Sequence, residues 1–381
     1  MKIEEMEDLM KQITTHLESS IPTFLVSFTI MFMLLSVSQV VAANCGGTIP
    51  CNCGDTVVSS YTMSSDLVCS GNGLIAGAND ITIDCNGKSI TGPVASPFSS
   101  FAGINTNGMS NVIVKNCIIS KFRTGIKNRG DNNQIKSNNI SNCVWGIWLD
   151  YPGDYTIVDS NTITTCLEGI RVYGPNYNQI INNNASGNIF SFMGPPSGTG
   201  ITLGGGFNIV INNTFDKNGG YGGGRGMTID GSPDNTIINN TFNGNKGVGI
   251  FATRTAIQNV LENNTANNNG GAGYGGIIGY GIYFGDMCWN NTLYGNTVTD
   301  NTVGGIFFDS TTSLNNISYT IACGNPTTDA VDQGTDNTWD HTSCSTSSGV
   351  TCECTCASPC RPGAGAPDMT PPVTTLSIGP V

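Results

Sequence analysis

The sequence predicts an all-β solenoid, a rod of stacked coils built from short strands. Three observations predict it. A phrase recurs along the middle of the chain: an Asn, an Asn five residues on, a third Asn five further, then a Gly-Ile. Residues 235–250, NTIINNTFNGNKGVGI, show it in full. Self-similarity at a near-constant period marks repeat architectures. Within each repeat a single residue separates each Asn from a short, often β-branched apolar one, which is strand alternation with no 3.6-residue pattern.

The first Asn falls at Asn111, Asn133, Asn178, Asn208, Asn235, Asn259 and Asn291, with Thr156 in the coil that lacks it. The second falls at Asn116, Asn138, Asn161, Asn183, Asn213, Asn240, Asn264 and Asn296, at gaps of 22 (138 − 116) to 32 (296 − 264) residues. The third position holds Lys121, Cys143, Cys166, Asn188, Asn218, Asn245, Asn269 and Asn301. One coil cannot bury its apolar side alone. Stacking buries a continuous core and pairs backbone groups with the coils above and below. Asn suits the corners, because it tolerates left-handed backbone and its amide can bond to the Asn one coil away. Three coils are longer, and their extra residues (189–199, 219–225 and 270–280) all fall between the third position and the Gly-Ile. Insertions at one corner project from one side of a rod, often a binding side.

Ahead of the coils, residues 1–20 are polar and 21–43 almost wholly apolar. Val41 and Ala43 fit a signal cleavage site that starts the mature chain near Asn44, and an uncleaved anchor is the alternative. Membrane contact is expected only through this segment. Asn44 before Cys45 argues against a lipoprotein signal. With 15 Lys and Arg against 27 Asp and Glu, the net charge is −12, which makes a nucleic-acid partner unexpected.

The segment DTVVSSYTMSSDLVCSGNGLIAGANDITIDCNGKSITG, residues 55–92, together with the N-x-I-x-x-N-x-I coils, resembles right-handed parallel β-helix proteins of the pectin-lyase-like fold. The likeness is to cell-surface members with NosD-like repeats. It implies a right-handed parallel β-helix of about nine to ten coils, with a disulfide-rich N-terminal cap and a Cys-rich C-terminal tail. The chain then divides into a leader (1–43), a cap (44–92), coils (93–325), a Cys-rich tail (326–367) and, at 368–381, what looks like the opening of an Ig-like module. The resemblance does not specify activity, since this fold hosts lyases, hydrolases, epimerases, adhesins and structural proteins.

Fifteen cysteines in an exported chain indicate disulfides. Cys143 and Cys166 hold one corner in adjacent coils, about 5 Å apart, and are expected to be bonded. The terminal cysteines are expected to pin the caps, and Cys352-Glu-Cys354-Thr-Cys356 is read as oxidised, so no metal is assigned. The odd count leaves one thiol free or shared between chains. Asn139, Asn184, Asn212, Asn239, Asn263, Asn290 and Asn316 sit in N-x-S/T sequons, although Asn-Asn-Thr is also what the corners want.

In the strand after each Gly-Ile, alternation points Ile147, Leu149, Ile250, Ile282, Phe284, Ile306 and Phe308 inward. It points Trp148, Phe251, Tyr283 and Phe307 outward, as an aromatic row that could stack sugar rings, or lie under the insertions or a partner. Beside the row stand Asp150, Asp230, Arg254, Asp286 and Asp309. Asp230, Arg254 and Asp286 occupy successive coils, so the cation can sit between the acids. For such acids the resemblance implies calcium-assisted lyase chemistry with an Arg base; the plainer reading is a charge ladder. Calcium is the one cofactor this admits. The only histidines, His16 and His341, lie outside the coils, so a histidine-based nucleophile system in the rod is unsupported and copper is not carried over. The function expected is an exported surface module, structural or adhesive, whose partners are glycans or other surface proteins. A lyase and a self-assembling filament or surface-layer subunit are the alternatives.

Overall fold

A computed structural model describes residues 43–191, 197–271 and 279–360. The expected leader or anchor and the Ig-like opening lie outside the described residues. Short strands alternate with tight corners, and each strand pairs in parallel with its counterpart one coil away. A 14-stranded sheet runs from Asn44–Cys45 to Ser347–Ser348, and a 12-stranded sheet from Tyr61–Thr62 to Thr338–Asp340. A third face begins as five strands, from Leu67–Val68 to Thr162–Thr164. It thins to single parallel bridges through Asn184, Thr214, Thr241 and Thr265, widens where Thr297–Thr299 pairs with Ile321–Cys323, and continues by single bridges through Ser343 to Cys354.

The register stacks like on like. Ile126, Ile147, Ile170, Ile201, Met227, Ile250, Ile282 and Ile306 form one fully buried column. All seven residues expected to face inward are wholly buried. The Gly before each residue of the Ile126–Ile306 column is required by close approach. A Cβ on Gly226 would meet the Gly249 carbonyl oxygen at 2.6 Å and Phe242 Cβ at 2.9 Å.

The asparagines form three buried ladders. At the second position the Asn138 Nδ2 donates to Asn161 Oδ1, and so on through Asn183, Asn213, Asn240 and Asn264 to Asn296, at 2.9–3.1 Å. The first-position ladder runs from Asn178 to Asn337, and the third from Asn188 to Asn325. The ladder residues are not themselves left-handed. That backbone belongs to the residue before each, such as Asn182, Asn212, Asn239 and Asn263 at φ of 51–56°. Asn116 is not a rung. The register pairs Lys115 with Lys136, so Cys117 faces Asn138 and its N–H takes the Oδ1, leaving Asn116 exposed in the left-handed position.

The tail is a continuation of the rod. Thr328–Asp332, Thr338–Asp340 and Ser347–Ser348 pair onto the last coils and add to those counted from the repeat. His341 therefore sits on a coil, stacked on Tyr319. Disulfides close both ends: Cys45–Cys51, Cys53–Cys69 and Cys85–Cys117 at the start, and Cys323–Cys356, Cys344–Cys352 and Cys354–Cys360 at the finish. The expected Cys143–Cys166 bond is absent; both are buried thiols, as is Cys288. Ser141 pairs with Thr164, which puts the two cysteines in strict register with parallel side chains. Each thiol turns to its own coil, on the carbonyls of Ser141 and Thr164. Cys85 and Cys117 are offset by one residue, because Asp84 pairs with Lys115, and their sulfurs converge.

Candidate functional site

The outward face of the 14-stranded sheet gathers most of the side chains singled out above. Its aromatic row is two groups rather than one. Trp148 is separated from Phe251 by Arg171, Thr202 and Thr228 on the intervening coils. Phe251, Tyr283 and Phe307 do stack on successive coils, with ring centroids 5.5 and 5.1 Å apart and planes 24° and 7° from parallel. Their faces meet one another, so edges rather than faces turn outward. Phe251 is only 8% exposed, and the Arg225 guanidinium lies 3.9 Å above its ring. Tyr280, at the end of the third insertion, packs against Tyr283 and Phe307. Burial first, then the nearby Asp309, pushes the Tyr283 hydroxyl up to about 12.

The acids beside this row are engaged by neighbouring side chains. Arg254 pairs with Asp230 at 3.1 Å and does not bridge to Asp286. Asp286 accepts from the Thr253 hydroxyl, and Asp309 accepts from the Thr311 N–H and hydroxyl. Asp286 and Arg254 both take left-handed backbone at the corner. Asp150 is buried beside Arg129 at 2.7 Å and Lys127 at 3.6 Å.

A denser group lies around Trp145 and Trp148, whose rings are 4.6 Å apart. The Arg123 guanidinium sits 4.6 Å and that of Arg171 5.1 Å from the Trp145 ring, one coil to either side, and Lys127 lies 4.3 Å over Trp148. Arg171 also covers Tyr173 and pairs with Glu168 at 2.9 Å. Burial raises the Glu168 carboxyl against the pull of Arg171. Among the described residues, the buried Arg123 Nε, Arg171 Nε, Trp148 Nε1 and Glu168 Oε2 have no hydrogen-bond partner. Sequence reasoning picks out only Trp148 of this group. The register was the missing signal, since Lys127, Trp148 and Arg171 share one column.

At the corner leaving this sheet, Tyr155, Tyr177 and Phe207 form a second stack at 5.2 and 5.1 Å, with Tyr151 and Tyr173 nearby in sequence at the ends of their strands. All five are exposed, and no sequence expectation covered the stack. The seven sequon asparagines are exposed too. Cys352, Cys354 and Cys356 are all in disulfides, which removes them as metal ligands.

The family described as "Right handed beta helix region" matches residues 52–189 and 128–278, which together span 52–278, more than half of the chain. The chain belongs to the right-handed β-helix family. No curated protein sequence matches this β-helix chain significantly. Among solved structures it is similar to the periplasmic alginate epimerase AlgG, at 14% identity and a TM-score of 0.58, over 81% of this chain and 80% of that one. It is also similar to the Streptococcus pneumoniae surface protein and adhesin PfbA, at 11% identity and a TM-score of 0.53, over 80% and 90% of the two chains. At such identities the likeness is one of fold. Six disulfides in this β-helix are those of a protein folded outside the reducing cytoplasm.

Proposed function

We propose that this β-helix is a cell-surface module, structural and adhesive, that holds a glycan on the outward face of its 14-stranded sheet. One observation carries the reading. That face concentrates partly exposed aromatic side chains, Trp145 and Trp148 in one group and Tyr280, Tyr283 and Phe307 in another, on a rod closed by disulfides at both ends. Aromatic rings held rigid by stacking offer apolar edges for contact at little cost in conformational entropy. The adhesin in the structural comparison shares the fold, which is compatible with this role. The carboxylates a lyase would need are engaged, Asp230 by Arg254, Asp286 by the Thr253 hydroxyl and Asp309 by Thr311, which favours the binding reading.

Retention on a panel of immobilised polysaccharides tests the proposal. Tyr283→Ala with Phe307→Ala is expected to weaken retention while the unfolding midpoint shows the rod intact. Retention by no polysaccharide would end the reading.

A further inference from the structure

We propose that Asp340, His341 and Glu353 form a site for one divalent ion of the zinc type, which ties the last coils of the rod to its Cys-rich end. The site lies at the end of Thr338–Asp340, the last strand of the 12-stranded sheet, and takes no part in the adhesive face.

Among the described residues, these three alone bring together three groups of metal-binding type, their ligand atoms all within 4.8 Å of one another. His341 Nδ1 lies 2.7 Å from Asp340 Oδ1 and 3.9 Å from Glu353 Oε2. Zinc holds nitrogen and carboxylate oxygen at about 2.0–2.2 Å in a tetrahedron, which sets neighbouring ligand atoms roughly 3.3–3.6 Å apart. The two observed separations bracket that edge, so modest side-chain rotations complete it. The side chains of His341, Asp340 and Glu353 are 47%, 56% and 43% exposed, so an ion reaches them directly from solvent.

The donors are held before an ion arrives. The His341 ring stacks on Tyr319, with centroids 4.8 Å apart and planes 18° from parallel, and Tyr319 in turn meets Tyr294 edge-on. Glu353 stands between Cys352 and Cys354, which are bonded to Cys344 and Cys360. Its N–H donates to the Thr342 carbonyl at 3.1 Å, which fixes its backbone beside the residue that follows His341. The Cys352-Glu-Cys354 motif thus serves a metal through its carboxylate, with the cysteines spent on holding it in place. Donors fixed beforehand lose little conformational freedom on binding.

The surrounding charge favours a cation. Residues 255–360 contain nine Asp and Glu and no Lys or Arg, and the next basic residue is Arg361. Among the described residues, His341 is the one basic group that pairs with Asp340 and Glu353. An acidic stretch of this kind raises the local concentration of cations. The donor set then selects among them. One imidazole with two carboxylates suits zinc, and three protein ligands leave a fourth position for water. Calcium takes about six to eight oxygens and magnesium an octahedron of them, which this site does not supply.

The folded chain, free of any histidine tag and stripped with chelator, is titrated with zinc chloride by calorimetry, with calcium chloride in large excess as the competitor. The expected result is one zinc bound per chain, undisturbed by calcium. Zinc should also raise the thermal unfolding midpoint, since an ion held only by the folded state stabilises it. His341→Asn keeps a residue at ease with left-handed backbone, φ 48° here, and should weaken zinc about tenfold or more, at least the loss that follows removal of an outer-shell partner. Glu353→Gln should do the same. Circular dichroism shows whether each variant is folded, and if one is not, the other decides. No zinc bound, displacement by calcium, or an unchanged zinc affinity in either folded variant overturns the proposal.

Discussion

Replacing Asn240 tests whether the amide ladders hold the coils together. Its side chain is buried and makes five hydrogen bonds. Oδ1 accepts from the Asn213 N–H at 2.8 Å and from Asn213 Nδ2 at 3.0 Å. Nδ2 donates to the carbonyls of Val210 at 2.8 Å and Ile238 at 3.0 Å, and to Asn264 Oδ1 at 3.1 Å. Asn240→Ala strands the Asn213 N–H in a dry corner, which costs about 1–3 kcal/mol, and removes four other bonds of about 1 kcal/mol each. Asn213 Nδ2 keeps two carbonyls and Asn264 Oδ1 keeps the Asn240 N–H, so two of those losses count for less. The total comes to about 4 kcal/mol. Asn240→Asp is nearly the same shape, yet it is expected to be worse. It sets a carboxylate oxygen against two carbonyls and Asn264 Oδ1, and an uncompensated buried charge costs about 3–5 kcal/mol on its own. Guanidinium unfolding followed by circular dichroism measures both, with exposed Asn184→Ala as a control expected within about 0.5 kcal/mol of the parent chain. If Asn240→Asp unfolds at the parent midpoint, the ladders do not carry the stability assigned to them.

Four further outcomes are expected. Unfolded without reductant, the chain should show three reactive thiols, 15 cysteines less 12 in disulfides, and in the folded state none, because burial shields Cys143, Cys166 and Cys288 and pushes the Cys288 thiol up to about 12; a count of one would restore the Cys143–Cys166 bond. Tyr283, raised to about 12 against an ordinary tyrosine near 10, favours the folded state fully below the ordinary value, and that contribution is lost as pH rises through about 12. Unfolding midpoints across this alkaline window should fall less steeply in Tyr283→Phe. Arg254→Ala should change stability by less than about 1 kcal/mol, because its side chain is 74% exposed and the pair with Asp230 is screened; a larger loss would show a coupled network. Gly226→Ala should cost about 2 kcal/mol or more in the same unfolding assay, since its Cβ cannot fit against the Gly249 carbonyl without parting two coils.

What the sequence by itself determined is the rod. Period-two alternation and recurring Asn and Gly-Ile are local signals, and stacking identical coils leaves few other ways to bury Ile147, Ile250 and Ile306 together. The second-position ladder from Asn138 to Asn296 was legible for the same reason. What only the tertiary structure decided depends on register, where a shift of one residue changes every partner. Such a shift exposes Asn116, seats Cys117 in its place and lets Cys85 reach Cys117, whereas strict register keeps Cys143 from Cys166. Register also divides the aromatic row and brings Arg123, Lys127, Trp145 and Arg171 together from three coils, and the corner geometry leaves Arg254 paired with Asp230 alone. Repeats specify which residues lie on a face, but which side chains touch across coils is settled by ångström-scale alignment that no single coil encodes.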